Sequence, residues 1–309
     1  MTNFTFRPAQ RSNTKPLIGI YSESGCGKTW SSLLLARGFV GPQGKIGMIE
    51  TESGRGEIYV NVDPVGDYLV CPLREDFSAV SYGQAISAAE AAGLDALIID
   101  SASHEWEGIN GVLSQAADNE AAGKKGPLVW QKPKISHQRD FVLRVMQTPI
   151  PLVILNMRAK YTMEEKVVGG RKEWTRSHDL SPKQSEDILY EMFAHGWIGK
   201  DHAFHVTKYP RVIAGFDQVL RDGEPITLDT GARLAAWASG GVAEGSDWRQ
   251  EHRTELGAAQ TLPDLQKAFT AAQAAAREHK DAAAMAEFVA AKDRQKGVIE
   301  QKHITGAAA

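Results

Sequence analysis

The sequence predicts an α/β fold built on a mostly parallel sheet, from two regularities and one local motif. Short apolar runs bounded by turn residues recur at Leu17–Tyr21, Lys45–Glu50, Leu94–Asp100 and Pro151–Asn156. Stretches of helical periodicity separate them, near 29–39, 78–92, 104–118 and 135–147. Continuous apolar runs are what strands buried on both faces require, and strand–helix alternation sets successive strands parallel. The motif is a glycine-containing turn, Ser24-Gly25-Cys26-Gly27, between the first run and its helix.

Taken in order, residues 1–16 are polar and read as an N-terminal tail, and 17–238 hold the α/β domain. Within the domain the pattern changes to period two over Ile188–Ile198 and His202–Lys208, separated by Gly199-Lys200-Asp201, which predicts an antiparallel hairpin at the sheet edge. Residues 239–245 (Ser-Gly-Gly-Val-Ala-Glu-Gly) have the composition of a flexible linker. From 246 to 303 a small helical appendage is expected. Thr261 and Asp264 have capping-box spacing, Leu262, Leu265, Ala268, Phe269 and Ala272 follow at helical spacing, and Met285, Phe288 and Val289 mark a second helix. The Ala-rich composition also suits a disordered spacer, and 304–309 read as a disordered end.

With 42% hydrophobic residues in 309, the chain can bury a sizeable core. No apolar run approaches a membrane span and the start lacks a signal-peptide core, so a soluble, intracellular protein without a membrane partner is expected. Cys26 and Cys71 are the only cysteines, which argues against a disulfide framework or a cysteine zinc site. A net charge of −3 means that any nucleic-acid partner must be held by local basic patches.

The turn after Tyr21 reads Ser22-Glu23-Ser24-Gly25-Cys26-Gly27-Lys28-Thr29-Trp30. Its end matches the phosphate-binding signature G-x-x-x-x-G-K-[ST], in the strand–loop–helix context that signature needs, with Ser22 where the first glycine belongs. Gly25 and Gly27 let backbone N–H groups close on phosphate oxygens. Lys28 reaches the β/γ-phosphates, and the Thr29 hydroxyl suits Mg²⁺ beside the positive helix N-terminus. ATP with Mg²⁺ is therefore the first ligand expected. Leu97-Ile98-Ile99-Asp100, about 70 residues on, is an apolar strand ending in a carboxylate placed to hold Mg²⁺ or its water. Hydrolysis also needs a residue that activates water, and two carboxylates compete for that role: Glu52 after the second strand, and Glu105 five residues past Asp100.

Ile49-Glu50-Thr51-Glu52, Ile58-Tyr59, Leu69-Val70, Leu97–Ser101 and Val153–Asn156 followed by Arg158 and Lys160 resemble, in order and spacing, the core of RecA-family recombinases over residues 17–212. Asp100–Trp106 and Leu189–Met192 narrow the likeness to phage-encoded RecA-like ATPases of the Sak type, which accompany single-strand annealing and recombination. The resemblance implies a RecA-like P-loop NTPase and matches Glu52, ahead of Glu105, to the family's water-activating glutamate. It also implies sites shared between subunits of a filament or ring, with Lys208 and Arg211 reaching a neighbour's γ-phosphate. Phe6-Arg7-Pro8-Ala9 is similar to the F-x-x-A peptide by which relatives dock on the adjacent protomer. One departure is Met157 after Asn156, where the family carries a coupling glutamine.

Two segments combine cations with aromatic rings. Lys124, Lys125, Lys132, Lys134 and Arg139 surround Trp130 with no acid from 124 to 139. From 158 to 176, Arg158, Lys160, Lys166, Arg171, Lys172 and Arg176 face three acids, with Tyr161 and Trp174 interleaved and Gly169-Gly170 as a hairpin tip. Cations that track phosphates and rings that stack on bases suit single-stranded DNA. Both segments lie where RecA relatives place mobile DNA loops. The expected protein is a DNA-dependent ATP hydrolase of phage recombination, working in the bacterial cytoplasm with an annealing or single-strand-binding protein. A hexameric helicase or translocase, and an ATP-gated adaptor without turnover, are the alternatives.

Overall fold

A computed structural model describes residues 14–168, 171–211, 215–239, 252, 255–278 and 282–306. The Phe6–Ala9 peptide, the Gly169-Gly170 tip and most of the 239–245 linker lie outside the described residues. The chain divides into two compact units, Met1–Gly241 and Val242–Ala309.

The first unit is an eight-stranded, mostly parallel sheet with helices on both faces. Strands β1 (Leu17–Ser22), β2 (Ile46–Glu50), β3 (Leu69–Pro72), β4 (Ala96–Asp100), β5 (Leu152–Val168), β7 (Ala194–Ile198) and β8 (Phe204–Lys208) lie in the order β3-β2-β4-β5-β1-β7-β8. All neighbours along this path pair in parallel except β7 with β8. The remaining strand, β6 (Arg171–Pro182), pairs antiparallel with β5 alone. Strand alternation divides the core in two. Ile18, Ile20, Met48, Ile98 and Ile154 pack on helices α1 (Lys28–Val40) and α8 (Leu228–Ala238), whereas Leu17, Tyr21, Ile49, Ile99 and Leu155 pack on α2 (Ala79–Ala91) and on Phe141, Val142 and Val145. Burial on both faces is why these strands read as unbroken apolar runs.

Helices α1 and α8 meet backbone to backbone. A Cβ on Gly38 would strike the Leu228 carbonyl, and one on Gly231 the Leu35 carbonyl. Behind α1, the buried Arg37 guanidinium donates to five main-chain carbonyls, those of Gly41, Pro42, Gly44, Val65 and Asp67, at 2.7–3.4 Å. It ties the loops at either end of β2 to the helix.

The period-two reading of Ile188–Ile198 is corrected. Residues Glu186–Glu191 form helix α7, because Ser185 caps it by accepting from the Asp187 N–H and Glu186 and Asp187 occupy its positive first turn. The edge hairpin is shorter, β7 with β8. The helix expected over 104–118 is two, α3 (Ser103–Glu107) and α4 (Val112–Ala121), parted by Gly108 and Gly111. The one expected over 135–147 begins earlier. Pro127 occupies the first turn of α5 (Pro127–Ser136), which runs through a π-helical turn at His137–Val142 into α6 (Leu143–Gln147). The first basic segment is thus largely helix rather than loop.

The second unit contains α9 (Leu262–Glu278) and α10 (Ala282–Gly306) around Leu265, Phe269, Ala272, Ala276 and Phe288. The Asp264 N–H donates to Thr261 Oγ1 at 3.3 Å, the expected cap. Leu262 and Val289 face solvent instead of the core, and helix continues through Gly306 into the stretch expected to be disordered. Among the described residues no helix is long and apolar enough to cross a membrane.

Candidate functional site

The carboxyl ends of parallel strands open where successive connections leave a sheet to opposite sides, and there the chain forms a cleft of about 530 Å³. Ser22, Ser24, Gly25, Gly27, Lys28 and Thr29 line one wall. Glu52, Arg55, Ile58 and Tyr59, after β2, line a second, and Arg158, Ala159 and Lys183 a third. Four cations therefore face one carboxylate, although the whole chain carries a net charge of −3.

The loop is built by its glycines. Gly25 and Gly27 have φ of +85° and +93°, which non-glycine residues rarely adopt, and Gly27 immediately precedes α1. Lys28 Nζ donates to Ser22 Oγ at 3.2 Å and to the Glu23 carbonyl at 3.3 Å, so its ammonium is folded back over the loop. Cys26 is buried, and its carbonyl accepts from His202 Nδ1 at 3.0 Å. Trp30 packs against Tyr59, with ring centroids 5.5 Å apart and the ring planes tilted by 40°.

Thr29 Oγ1 donates to Asp100 Oδ2 at 2.6 Å, which joins the helix start to the end of β4. Asp100 Oδ1 is buried without a hydrogen-bond partner. Burial raises the Asp100 carboxyl above the usual carboxylate range, against the Thr29 hydrogen bond that lowers it, and the Glu52 charge adds to the rise. One turn deeper, Ser32 Oγ donates to Asn156 Oδ1 at 2.6 Å.

Glu52 is positioned by its neighbour Glu50. The buried Glu50 carboxylate accepts from the Glu52 N–H at 2.7 Å and the Gly54 N–H at 3.0 Å, and it is ion-paired with Arg74. That leaves the Glu52 side chain directed into the cleft. Glu105 is placed differently from the expectation of a water-activating carboxylate. It is fully buried, both its oxygens lie 3.0 Å from His137 Nδ1, and Gln184 Nε2 donates to it at 3.3 Å. His137 Nε2 in turn meets Ser185 Oγ at 3.1 Å. These contacts make Glu105 a core residue joining α3, the π-helical turn and the β6–α7 junction, outside the cleft lining.

Lys208 and Arg211 also stand apart from the cleft. Lys208 Nζ, on edge strand β8, donates to the carbonyls of Leu189 and Tyr190 at 3.1 and 2.5 Å. Arg211 is exposed, its guanidinium carbon 5.9 Å from the Tyr209 ring.

The second cationic segment forms the β5–β6 hairpin. β5 leaves the sheet after pairing Asp100↔Asn156 and Ser22↔Arg158, then continues with β6 out to Val168↔Arg171. Lys160, Lys172 and Trp174 are exposed along it, Trp174 at 66%, and Lys172 pairs with Glu165 at 2.7 Å. Lys124 and Lys125 lie in the turn before α5, and Trp130 and Lys132 are exposed on that helix.

Sequence reasoning did not assign a role to Arg55, Tyr59, Lys183 or His202. Arg55 lies within the Ser53-Gly54-Arg55-Gly56 turn and Tyr59 just after it, and the turn's glycines are a weak signal of a loop folded onto a site. Lys183 reaches the cleft, and His202 the loop at Cys26, through tertiary pairing that no local pattern encodes. Among the described residues no cluster of three or more His, Cys, Asp or Glu side chains is arranged for a metal ion. Compared with known proteins, the chain matches no protein-family model and no curated sequence.

Proposed function

We propose that the chain is a RecA-like P-loop ATPase of phage recombination that binds ATP in the cleft and acts on single-stranded DNA. The observation that carries this reading is the 2.6 Å contact between Thr29, which lines the cleft with Lys28 and Glu52, and the buried Asp100. A hydroxyl at a helix start beside a strand-end carboxylate with a spare buried oxygen fits Mg²⁺. That ion takes one or two protein oxygens and completes its shell with water and phosphate, so the absence of a three-residue cluster is no obstacle. The four cations that line the cleft outnumber Glu52 and the adjoining Asp100, which favours a polyanion.

In this reading Lys28 leaves Ser22 and the Glu23 carbonyl for the β/γ-phosphates, and the loop N–H groups cradle the phosphate oxygens. Glu52 accepts the proton of the attacking water, a role for which Glu105 is too deeply buried and already paired. Thr29 and Asp100 would hold Mg²⁺, which neutralises charge on the transferring phosphoryl group. Exposed Arg211, more readily than the engaged Lys208, would reach a neighbouring subunit's nucleotide. The β5–β6 hairpin, with Lys160, Lys172 and Trp174, tracks single-stranded DNA, and the Lys124–Lys132 segment offers it a second set of cations. The companion is an annealing or single-strand-binding protein in the host cytoplasm.

ATP hydrolysis with and without single-stranded DNA, on wild type, Lys28→Ala and Glu52→Gln, tests the proposal. The expected results are loss of nucleotide binding in the first variant and bound, unhydrolysed ATP in the second. ATP-driven strand separation by a closed ring would favour a helicase. Assembly on ATP without turnover would favour an adaptor.

A further inference from the structure

One peptide of the Ser22–Thr29 loop is held from outside the cleft. Strand β7 runs parallel to β1, with Trp197 opposite Tyr21, so the turn that follows β7 arrives beside the loop that follows β1. That turn, Gly199-Lys200-Asp201-His202, is closed by the His202 N–H donating to the Gly199 carbonyl at 3.1 Å and the Gly199 N–H donating to the Ala203 carbonyl at 3.0 Å. His202 takes φ of +64° there, in the left-handed region that residues with a Cβ rarely adopt. The conformation delivers its ring to the loop. His202 Nδ1 lies 3.0 Å from the Cys26 carbonyl oxygen, and a Cβ built on Gly27 would come within 3.2 Å of the same nitrogen. Because a carbonyl can only accept, Nδ1 carries the hydrogen. Gly27 lines the cleft, whereas His202 stands behind it, against the outer side of the Cys26–Gly27 peptide.

We infer, on the nucleotide reading above, that His202 is a positioning residue: it fixes the Cys26–Gly27 peptide so that the Gly27 N–H faces the cleft and can meet a phosphate oxygen. In a planar trans peptide the carbonyl and the N–H point in opposite directions, so a carbonyl drawn outward to His202 turns the Gly27 hydrogen inward. Rotating that peptide by half a turn exchanges the two groups and carries Gly27 φ from +93° to a negative value, which glycine accepts as readily. The glycine that lets the loop take its shape thus also lets it leave that shape. A flipped peptide presents a carbonyl oxygen where an anion must sit, and one donor on the outer face selects the form that binds.

The test is titration calorimetry of the full chain with Mg²⁺ and ADP, on wild type, His202→Gly, His202→Ala and His202→Asn, beside their melting temperatures. Glycine is at ease at this φ but donates nothing from a side chain. His202→Gly should therefore melt close to wild type yet bind ADP about fivefold more weakly, and His202→Ala should lose as much affinity. Asparagine places an amide nitrogen where Nδ1 stands and tolerates the left-handed turn, so His202→Asn should bind ADP within about twofold of wild type. In ligand-free wild type, NMR spectra of the histidine-labelled chain should show the His202 hydrogen on Nδ1. Undiminished affinity in the glycine and alanine variants, no rescue by asparagine, or a ring hydrogen on Nε2 alone would overturn the clamp while ADP binding by wild type stands. A wild type that binds no ADP would instead remove the nucleotide reading, with the ring spectrum still reporting whether His202 holds the loop.

Discussion

Thr29 and Asp100 stand 71 positions apart in sequence, yet the Thr29 hydroxyl donates to the Asp100 carboxylate at 2.6 Å while the other carboxylate oxygen is buried without a partner. Burial raises the Asp100 carboxyl, so the folded chain binds that proton more tightly than the unfolded one. Stability then falls as pH rises from the unfolded value of about 3.9 through the raised folded value. Asp100→Asn removes this penalty. The variant without nucleotide should melt above wild type at pH 7–8, the difference closing near pH 3, while its affinity for Mg²⁺-ATP drops at least about tenfold. Parallel melting curves across that range would contradict the account.

The Glu105–His137 pair makes the opposite prediction. Removing the carboxylate leaves His137 Nδ1 buried without its partner, while Gln184 keeps the Ala102 carbonyl at 2.8 Å, a loss of about 1–3 kcal/mol for an unsatisfied buried group. Glu105→Ala should lower the urea midpoint accordingly, whereas turnover per folded molecule should hold. A variant of normal stability that fails to hydrolyse ATP would restore Glu105 as the base.

Gly38 and Gly231 permit the backbone contact between α1 and α8, and an alanine at either forces the helices apart. The expected cost is about 1–3 kcal/mol, typical of overpacking. Gly257, where an added methyl group would meet nothing within 4 Å, is the control, and alanine there should cost nothing. Equilibrium unfolding of the three variants separates close packing from any general intolerance of substitution.

His195 gives the protein an acid limb. Burial, with Lys208 adding, holds its imidazole down at about 4, and Nδ1 is buried without a hydrogen-bond partner. The unfolded chain takes up this proton near pH 6.5 and the folded chain only near 4, so stability is lost as pH falls through that window. His195→Gln should flatten the decline between pH 6.5 and 4, as read from denaturation midpoints.

For the hairpin, Trp174→Ala should weaken single-stranded DNA binding by about 1–3 kcal/mol with little change in salt dependence. Lys172→Ala should lower the salt slope by about 0.7. Fluorescence anisotropy across a salt series distinguishes the two, and unaltered affinity in both would detach DNA from this arm.

The sheet was legible because strands covered on both faces must be apolar throughout, and β1, β2, β4 and the inner half of β5 are. The loop at Ser22–Thr29 and the carboxylate at Asp100 were legible because each ends a strand. β3 was not marked as a strand, since it is a short edge with Leu69 exposed. Glu186–Glu191 misled because Ile188, Tyr190 and Met192 alternate as a strand would, although the Ser185 cap decides for helix. Glu52 and Glu105 could not be ranked from spacing, because what separates them is depth. Lys183 and His202 were silent because their positions depend on strand pairing, β6 with β5 for the first and β7 with β1 for the second.

Arg37 offers a last consequence. A guanidinium clasped by five neutral carbonyls needs no carboxylate to hold it, so the rear of α1 is moored by main chain alone and no single side-chain substitution elsewhere can remove its anchor.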